Sequence, residues 1–143
     1  LTYKKMPFLR IAPICNGKIY VAPRSYQGEE PGKLDIPMED YIYACKTDTD
    51  KYAKEVENKY SNHITGQPEP RFSLKHLVKE TNGVKKIIML YILPLNDEEQ
   101  IHFTGGKFVT PEEIEMNSAQ YSSFLKEEVD HLNIVAQMWE EFK

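Results

Sequence analysis

The apolar run from Val84 to Leu95 (VKKIIMLYILPL) constrains the fold more than any other segment of this chain. Its core, Ile87 to Leu95, is apolar at nearly every position, which is typical of a strand that is covered on both faces. The run is much shorter than the roughly 20 apolar residues that a membrane-spanning helix requires. We therefore predict a central strand of a sheet here, and no membrane span in this chain.

Turn residues divide the rest of the chain into shorter strands. Asn16-Gly17 separates the runs 8–15 and 18–23, and this dipeptide favours a two-residue hairpin because both of its residues tolerate positive φ. A second hairpin turn is predicted at Thr81-Asn82-Gly83, after an alternating strand from Arg71 to Glu80. The alternation predicts that Phe72, Leu74, His76 and Val78 share one face of that strand. Short strands are also predicted at 33–37, 101–103 and 107–109.

Helical patterns follow at three places. Capping residues at 47–50 precede an apolar stripe at helical spacing, which predicts a helix from about 49 to 60. Thr110, Pro111 and Glu113 have the pattern of an N-cap, first turn and capping box. A long amphipathic C-terminal helix is predicted to begin near Ser118. Its apolar positions are Tyr121, Phe124, Leu125, Leu132, Val135, Trp139 and Phe142.

Length and composition limit the class of protein. The 143 residues fit a single domain, 1–143, with 41% hydrophobic and 28% charged residues. The net charge of -4 gives no basis for non-specific nucleic-acid binding. The only cysteines, Cys15 and Cys45, are too few for a disulfide framework, which favours a cytoplasmic location. Because the chain begins at Leu1, we expect a processed product, a trimmed fragment or one domain of a longer protein.

The segment from Gly32 to Asn62 carries the most specific pattern. A strand-like run ending at Pro37 is followed by Met38-Glu39. Within the helix predicted at 49–60 and just beyond it, the residues from Lys54 to Asn62 read KEVENKYSN. This arrangement resembles the Nudix box, G-x5-E-x7-R-E-U-x-E-E-x-G-U with U aliphatic, which follows a strand ending in Pro-Gly-Gly. The stretch from Gly105 to Ile114 also resembles the late Nudix segment, in which a strand leads into a T-x-E-E-I turn. The resemblance implies a Nudix-like α/β/α sandwich with a central mixed sheet and a long C-terminal helix.

The box is degenerate at the positions that matter for chemistry. Glu55 and Val56 match it, and Lys54 replaces the arginine, but Asn58 and Lys59 stand where the family has two adjacent glutamates. The glycine position holds Ser61, and the upstream glutamate position holds Cys45 or Lys46. The resemblance therefore implies the fold more firmly than it implies the hydrolase activity.

The helix face explains why these replacements affect metal binding. Residues at i, i+3 and i+4 share one face of a helix, so three glutamates at that spacing make the oxygen-rich patch that suits Mg²⁺. This chain places Glu55, Asn58 and Lys59 there. Lys59 stands at the favourable spacing for an ion pair with Glu55, where it would compete with a metal. We expect weak Mg²⁺ binding, with Glu55 as the one remaining candidate for a catalytic or metal-binding role.

Other side chains are candidates for ligand binding. Arg24 ends the second strand, where the family often has a substrate-facing basic residue, and Arg71 begins the strand after the helix. Either suits phosphate or carboxylate, although a surface arginine is the competing interpretation. Glu39, with Asp40 beside it, stands near the position of the missing glycines and is either a cation ligand or an ordinary turn acid. The four histidines show no spacing for a zinc site.

Three functions remain open on the sequence. The first is a Nudix-like domain with weak or no pyrophosphohydrolase activity, which serves as a ligand-binding, regulatory or interaction module for a nucleotide or another diphosphate-containing molecule. The alternative is an active hydrolase that uses Mg²⁺ to cleave a nucleoside diphosphate linked to another group. It would take metal ligands from outside the box, such as Glu39, Asp40 or the acids at 97–99. The third is binding of a protein partner, or homodimerisation, through the C-terminal helix.

Overall fold

A computed structural model describes residues 8–41, 48–79 and 85–143 of the chain. Most of its strands and helices lie where the sequence predicts them. The strand predicted at 101–103 is wrong, since only an isolated bridge between Ile101 and Ile64 is present there, and the strand at Met38–Tyr41 was not predicted. The strands are β1 (Phe8–Cys15), β2 (Lys18–Pro23), β3 (Leu34–Asp35), β4 (Met38–Tyr41), β5 (Arg71–Lys79), β6 (Lys85–Pro94) and β7 (Lys107–Val109). The helices are α1 (Thr49–Lys59), α2 (Pro111–Met116) and α3 (Ser123–Glu141).

The strands form a mixed sheet in the order β3-β2-β1-β6-β5, with β4 also paired to β1 and β7 to β2. β1 and β6 run parallel, whereas the other pairs described are antiparallel. The apolar segment that the sequence assigns to the centre of the sheet is β6, which lies between β1 and β5. Its central position is therefore confirmed.

The first hairpin has the predicted turn. Asn16 and Gly17 have φ values of 54° and 75°, the left-handed conformation that a tight two-residue turn requires at both positions. The predicted turn at 81–83 lies outside the described residues. The strands on either side of it, β5 and β6, pair antiparallel along their length.

Helices cover both faces of the sheet, which confirms the predicted α/β/α sandwich. α1 covers one face, where Ala53 and Val56 pack with Leu9, Ile11 and Tyr91 of the strands. α2 and α3 cover the other face. The side chains buried there include Ile14, Ile19, Leu90, Ile114, Leu125, Val129 and Leu132. Within the described ranges, no helix combines the length and apolar character needed to cross a membrane.

The prediction that Phe72 shares one face of β5 with Leu74 is wrong. The register of β5 against β6 shifts between Phe72 and Leu74, so the strand contains a β-bulge at Ser73. Because side chains alternate along a strand, one extra residue moves the positions before it to the opposite face. Phe72 accordingly packs edge-on against Tyr91 on the α1 side, while Leu74 packs into the core beneath α3.

The helix starts follow their capping residues. α1 begins at Thr49 as predicted, and the Asp48 carboxylate accepts a hydrogen bond from the Lys51 N–H at 3.1 Å. α3 begins at Ser123 rather than near Ser118. A short 3-10 turn and a bridge between Tyr121 and Leu34 precede it, and the Ser122 hydroxyl caps its first turn.

Gly106 is required by the packing of Tyr20, and this gives a testable expectation. A Cβ at Gly106 would lie 2.0 Å from the Tyr20 hydroxyl oxygen, which accepts a hydrogen bond from the Phe103 N–H. We expect Gly106→Ala to lower the free energy of unfolding by about 1–3 kcal/mol in urea denaturation, the usual cost of overpacking. Gly28→Ala is the control, because the nearest atom to its Cβ would be 3.9 Å away. Equal stability of the two variants would contradict this packing.

Candidate functional site

A cleft of about 480 Å³ opens where the end of β2 meets β3, β4 and the residues that follow α1. Its volume lies within the range typical of small-molecule sites. Polar and aromatic side chains line it together. The lining residues are Ala22, Pro23, Arg24, Ser25, Gly28, Glu29, Asp35, Ile36, Pro37, Glu39, Tyr60, His63, Phe103 and Thr104.

The floor of the cleft, formed by Arg24, Asp35 and Glu39, lies on a network of charged side chains around Arg10. Arg10 is fully buried on β1, directly opposite Glu39 of β4 in the strand register. Its guanidinium donates to Glu39 at 2.6 Å, to Asp35 at 2.7 Å and to Glu128 of α3 at 2.8 Å. Arg24 adds a second guanidinium, which bonds Asp35 and, at 3.2 Å, Glu39. Three secondary-structure elements are thus tied to β1 through one buried cation.

The mutual arrangement of these charges sets their pKa values. Burial disfavours the Arg10 charge, but Asp35 and Glu128 outweigh it and raise the pKa of Arg10 well above its ordinary value. Burial likewise opposes the charge of Asp35, yet Arg10 and Arg24 hold its pKa below the ordinary range. Glu39 differs, because burial raises its pKa and Arg10 offsets only part of that effect. Glu39 is therefore the more easily protonated of the two acids in the floor.

An aromatic wall stands beside this floor. The rings of His63 and Phe103 are stacked, with centroids 4.0 Å apart and planes 7° from parallel. His63 Nδ1 lies 2.9 Å from the carbonyl oxygen of His102, which fixes the ring orientation. The Tyr60 hydroxyl donates to the backbone oxygen of Glu39 at 3.3 Å and so joins the wall to the floor.

Behind the floor, α3 holds the arginines in place. The Phe124 ring lies 5.3 Å from the Arg10 guanidinium carbon and 5.7 Å from that of Arg24, within cation–π range. His76 of β5 lies 3.0 Å from Glu128. These contacts orient the floor from the side opposite the cleft.

The structure brings together only some of the side chains that the sequence predicts to bind a ligand or a metal ion. Arg24 and Glu39 meet in the cleft. Arg71 does not line it, and its guanidinium instead lies 5.3 Å from the Trp139 ring at the end of α3. Glu55 is exposed on α1 and is not among the cleft residues. Lys59 forms an ion pair of 2.9 Å with Asp40 of β4.

The residues at the box helix do not fit Mg²⁺. The face of α1 offers one carboxylate, one amide and one ammonium, from Glu55, Asn58 and Lys59, and the ammonium is bonded to Asp40. Mg²⁺ prefers oxygen ligands and is usually bound through carboxylates. In the described ranges, no three His, Cys, Asp or Glu side chains are grouped so that they could hold a metal ion.

The acids at 97–99 are also remote from the cleft. Glu98 lies 3.4 Å from Asn16 and 3.7 Å from Lys18, at the turn of the first hairpin. Glu39 pairs with Arg10 near the other end of β1. Six residues of extended chain separate Arg10 from Asn16, which is roughly 20 Å at the rise of a strand. Glu98 and Glu39 are therefore too far apart to share one ion.

The centre of the network was missed by sequence reasoning. Neither Arg10, Asp35 nor Glu128 was a candidate, although each is almost fully buried. A signal was present, since Arg10 interrupts the otherwise apolar strand FLRIAPIC. A charged residue in a buried strand requires a partner of opposite charge.

Comparison with known proteins shows which solved structures have a similar fold. No family model matches the chain, and no curated protein matches it. Among solved structures, a NUDIX hydrolase from Nitrosomonas europaea is similar over 92% of this chain and 90% of its own, with 11% identity and a TM-score of 0.63. The MutT protein from Methanosarcina mazei Go1 is similar over 90% and 93%, with 12% identity and a TM-score of 0.62. The Ap4A hydrolase of C. elegans is similar over 94% and 98%, with 15% identity and a TM-score of 0.59. The chain has the Nudix fold.

Proposed function

We propose that the chain is a Nudix-fold ligand-binding domain with weak or no pyrophosphohydrolase activity. One observation supports this most directly. The face of α1 that resembles the Nudix box has one carboxylate, Glu55, and its Lys59 forms an ion pair with Asp40 of β4. An ammonium occupies the place where a hard cation would need an oxygen ligand. The cleft beside this helix is nevertheless well formed. The helix face lacks the carboxylates that would bind a metal ion, but the cleft is present. This combination favours a regulatory or sensing role in the cytoplasm.

Titration with Mg²⁺ tests the first half of the proposal. We expect the domain to bind Mg²⁺ more weakly than roughly millimolar at neutral pH, because one carboxylate near a lysine is a poor site for this ion. Calorimetry at low ionic strength measures the affinity directly. Incubation with ADP-ribose and Mg²⁺ should release little or no AMP above a protein-free control. A clear micromolar metal site, or turnover that Glu55→Gln abolishes, would refute the proposal.

The alternative is an active hydrolase that takes its metal ligands from outside the box. It is the weaker proposal because the side chains it needs are already bonded. Glu39 is held by Arg10 and Arg24, and Asp40 by Lys59. An ion would have to displace these cations before either acid could ligate it.

A partner surface on α3 is a second role that one observation favours. Ile134, Met138 and Phe142 are spaced at i, i+4 and i+8 and are 59%, 51% and 80% exposed. Trp139, another of the apolar positions predicted for this helix, packs partly against the core and does not belong to this exposed set.

Substitutions separate the two faces of α3. If the exposed residues bind a second copy or another protein, Ile134→Ser with Phe142→Ser should weaken self-association in analytical ultracentrifugation while leaving the melting temperature nearly unchanged. Trp139→Ser, on the buried side, should instead lower stability. A whole domain that is monomeric at high concentration, and whose double variant behaves identically, would argue against self-association.

A further inference from the structure

The charge of the cleft is the first clue to its ligand. One guanidinium and three carboxyl side chains line it, Arg24 with Glu29, Asp35 and Glu39, which gives a formal excess of two negative charges. Arg10 and Glu128, buried behind the floor, add one charge of each sign and leave that excess unchanged. A phosphate or diphosphate would bring more negative charge to a site whose arginine is already bonded to two carboxylates. The cleft therefore favours a ligand without phosphate.

The two acids of the floor differ in what they can still accept. Asp35 accepts hydrogen bonds from both Nη atoms of Arg10, from Arg24 and from the Ile36 N–H. These occupy the roughly four acceptor positions of a carboxylate. Glu39 accepts one bond from Arg10 and one from Arg24, and its side chain is 20% exposed. Glu39 is thus the floor acid with acceptor positions left for a ligand.

Arg24 supplies a donor next to that acceptor. Its Nε donates to the backbone oxygen of Glu29 at 2.8 Å, and its Nη1 is bonded to Asp35 and Glu39. Within the part of the chain that the structure describes, these bonds leave the two hydrogens of Nη2 for a ligand. A donor and an acceptor therefore lie side by side in the floor, as Arg24 Nη2 and the Glu39 carboxylate.

The wall selects for shape. The rings of His63 and Phe103, which are stacked on each other, both line the cleft, and Tyr60 packs next to Phe103. Aromatic side chains of this kind stack on planar heterocycles with little dependence on their substituents. The wall therefore selects a flat ligand, and the floor selects the hydrogen-bonding groups of that ligand.

From these observations, and resting on the proposed function, we propose that the cleft binds an uncharged planar heterocycle through a lactam edge, a ring N–H next to a ring carbonyl. The N–H donates to Glu39 and the carbonyl oxygen accepts from Arg24, while the ring lies against His63 and Phe103. The ligand needs neither a phosphate nor a metal ion. This specificity would separate the domain from an enzyme that recognises a diphosphate.

The role of the ring N–H of the ligand can be tested on the unaltered protein. We would titrate the domain at pH 7 with guanosine, inosine and uridine, and with their ring N-methylated forms 1-methylguanosine, 1-methylinosine and 3-methyluridine. Methylation removes the lactam N–H and keeps the ring. At least one nucleoside should bind, and its methylated form should bind at least tenfold more weakly. Binding of none of the three, or equal binding of methylated and unmethylated forms, would overturn the inference.

The protein side has a matched pair of variants. Glu39→Gln should weaken binding of the same nucleoside at least tenfold. Asp40→Asn removes the same charge from the next residue of β4, which does not line the cleft, and should change the affinity less than twofold. Equal losses in the two variants would overturn the inference. Should Glu39→Gln fail to fold, the methylated ligands still decide the question.

One further titration distinguishes this inference from the proposed function. Guanosine 5′-diphosphate should bind no more tightly than guanosine at low ionic strength without Mg²⁺. If the diphosphate binds tenfold more tightly but is not hydrolysed, the lactam inference is wrong and the ligand-binding proposal stands. If ADP-ribose is hydrolysed efficiently in the presence of Mg²⁺ and Glu55→Gln abolishes the turnover, the proposed function itself is wrong.

Discussion

Arg10→Met is expected to lower the free energy of unfolding by about 3–5 kcal/mol, the cost of removing one partner from a buried ion network. The substitution leaves Asp35 and Glu128 buried without the guanidinium that now bonds both of them. Both acids are almost fully buried, so their charges would be poorly solvated. Urea denaturation followed by circular dichroism gives the difference in unfolding free energy.

An exposed ion pair provides the control for this prediction. Lys18 lies 3.7 Å from Glu98, and both side chains are about two-fifths exposed. Lys18→Met should therefore cost less than about 1 kcal/mol, as surface pairs usually do. A loss below that value for Arg10→Met as well would mean that the network is not a major source of stability.

Restoring two acids on α1 is expected to create a metal site. Asn58→Glu with Lys59→Glu places three carboxylates at i, i+3 and i+4 with Glu55, and it also frees Asp40 from its ion pair. The affinity for Mg²⁺ should rise at least tenfold, which corresponds to about 1.4 kcal/mol. Both positions are exposed, so the fold should persist. Calorimetric titration of the double variant against the unaltered domain measures the gain.

The control for that variant changes the charge equally at another place. Lys75→Glu with Asn133→Glu alters the net charge by the same amount, but these residues lie on β5 and α3 and share no helix face. It should leave Mg²⁺ binding nearly unchanged. Similar gains in both double variants would show a general charge effect, and no gain in either would show that the Glu55 face is not a latent metal site.

Local sequence patterns were sufficient for most of the fold. Turn residues and apolar periodicity depend on neighbours close in the chain, so Asn16-Gly17, the run that forms β6 and the α1 stripe could be assigned before the structure. The motif spacing also carried information beyond local pattern, since it predicted the Nudix arrangement of the sheet. The bulge at Ser73 was missed because an extra residue in a strand leaves no mark on an alternating pattern unless its partner strand is known.

The site was predicted less completely because it is held by contacts between distant parts of the chain. Arg10 and Glu128 are 118 positions apart, and Arg10 and Asp35 are 25 apart. Arg24 and Glu39 could be nominated from their places near the motif. The network that Arg10 forms with Asp35 and Glu128 could not be predicted, since no local pattern connects β1, β3 and α3. Trp139 shows the same limit, because an apolar stripe does not reveal which of its turns the sheet covers.

The position of β5 at the end of the sheet path has a consequence for solubility during expression. A long strand at a sheet edge presents unpaired backbone groups that can recruit another chain into a growing aggregate. β5 carries Arg71 and Lys75 together with the bulge at Ser73. Charged side chains and an irregular backbone both discourage edge-to-edge pairing. Removing the positive charges while straightening the strand would therefore convert this protected edge into a template for amyloid-like stacking.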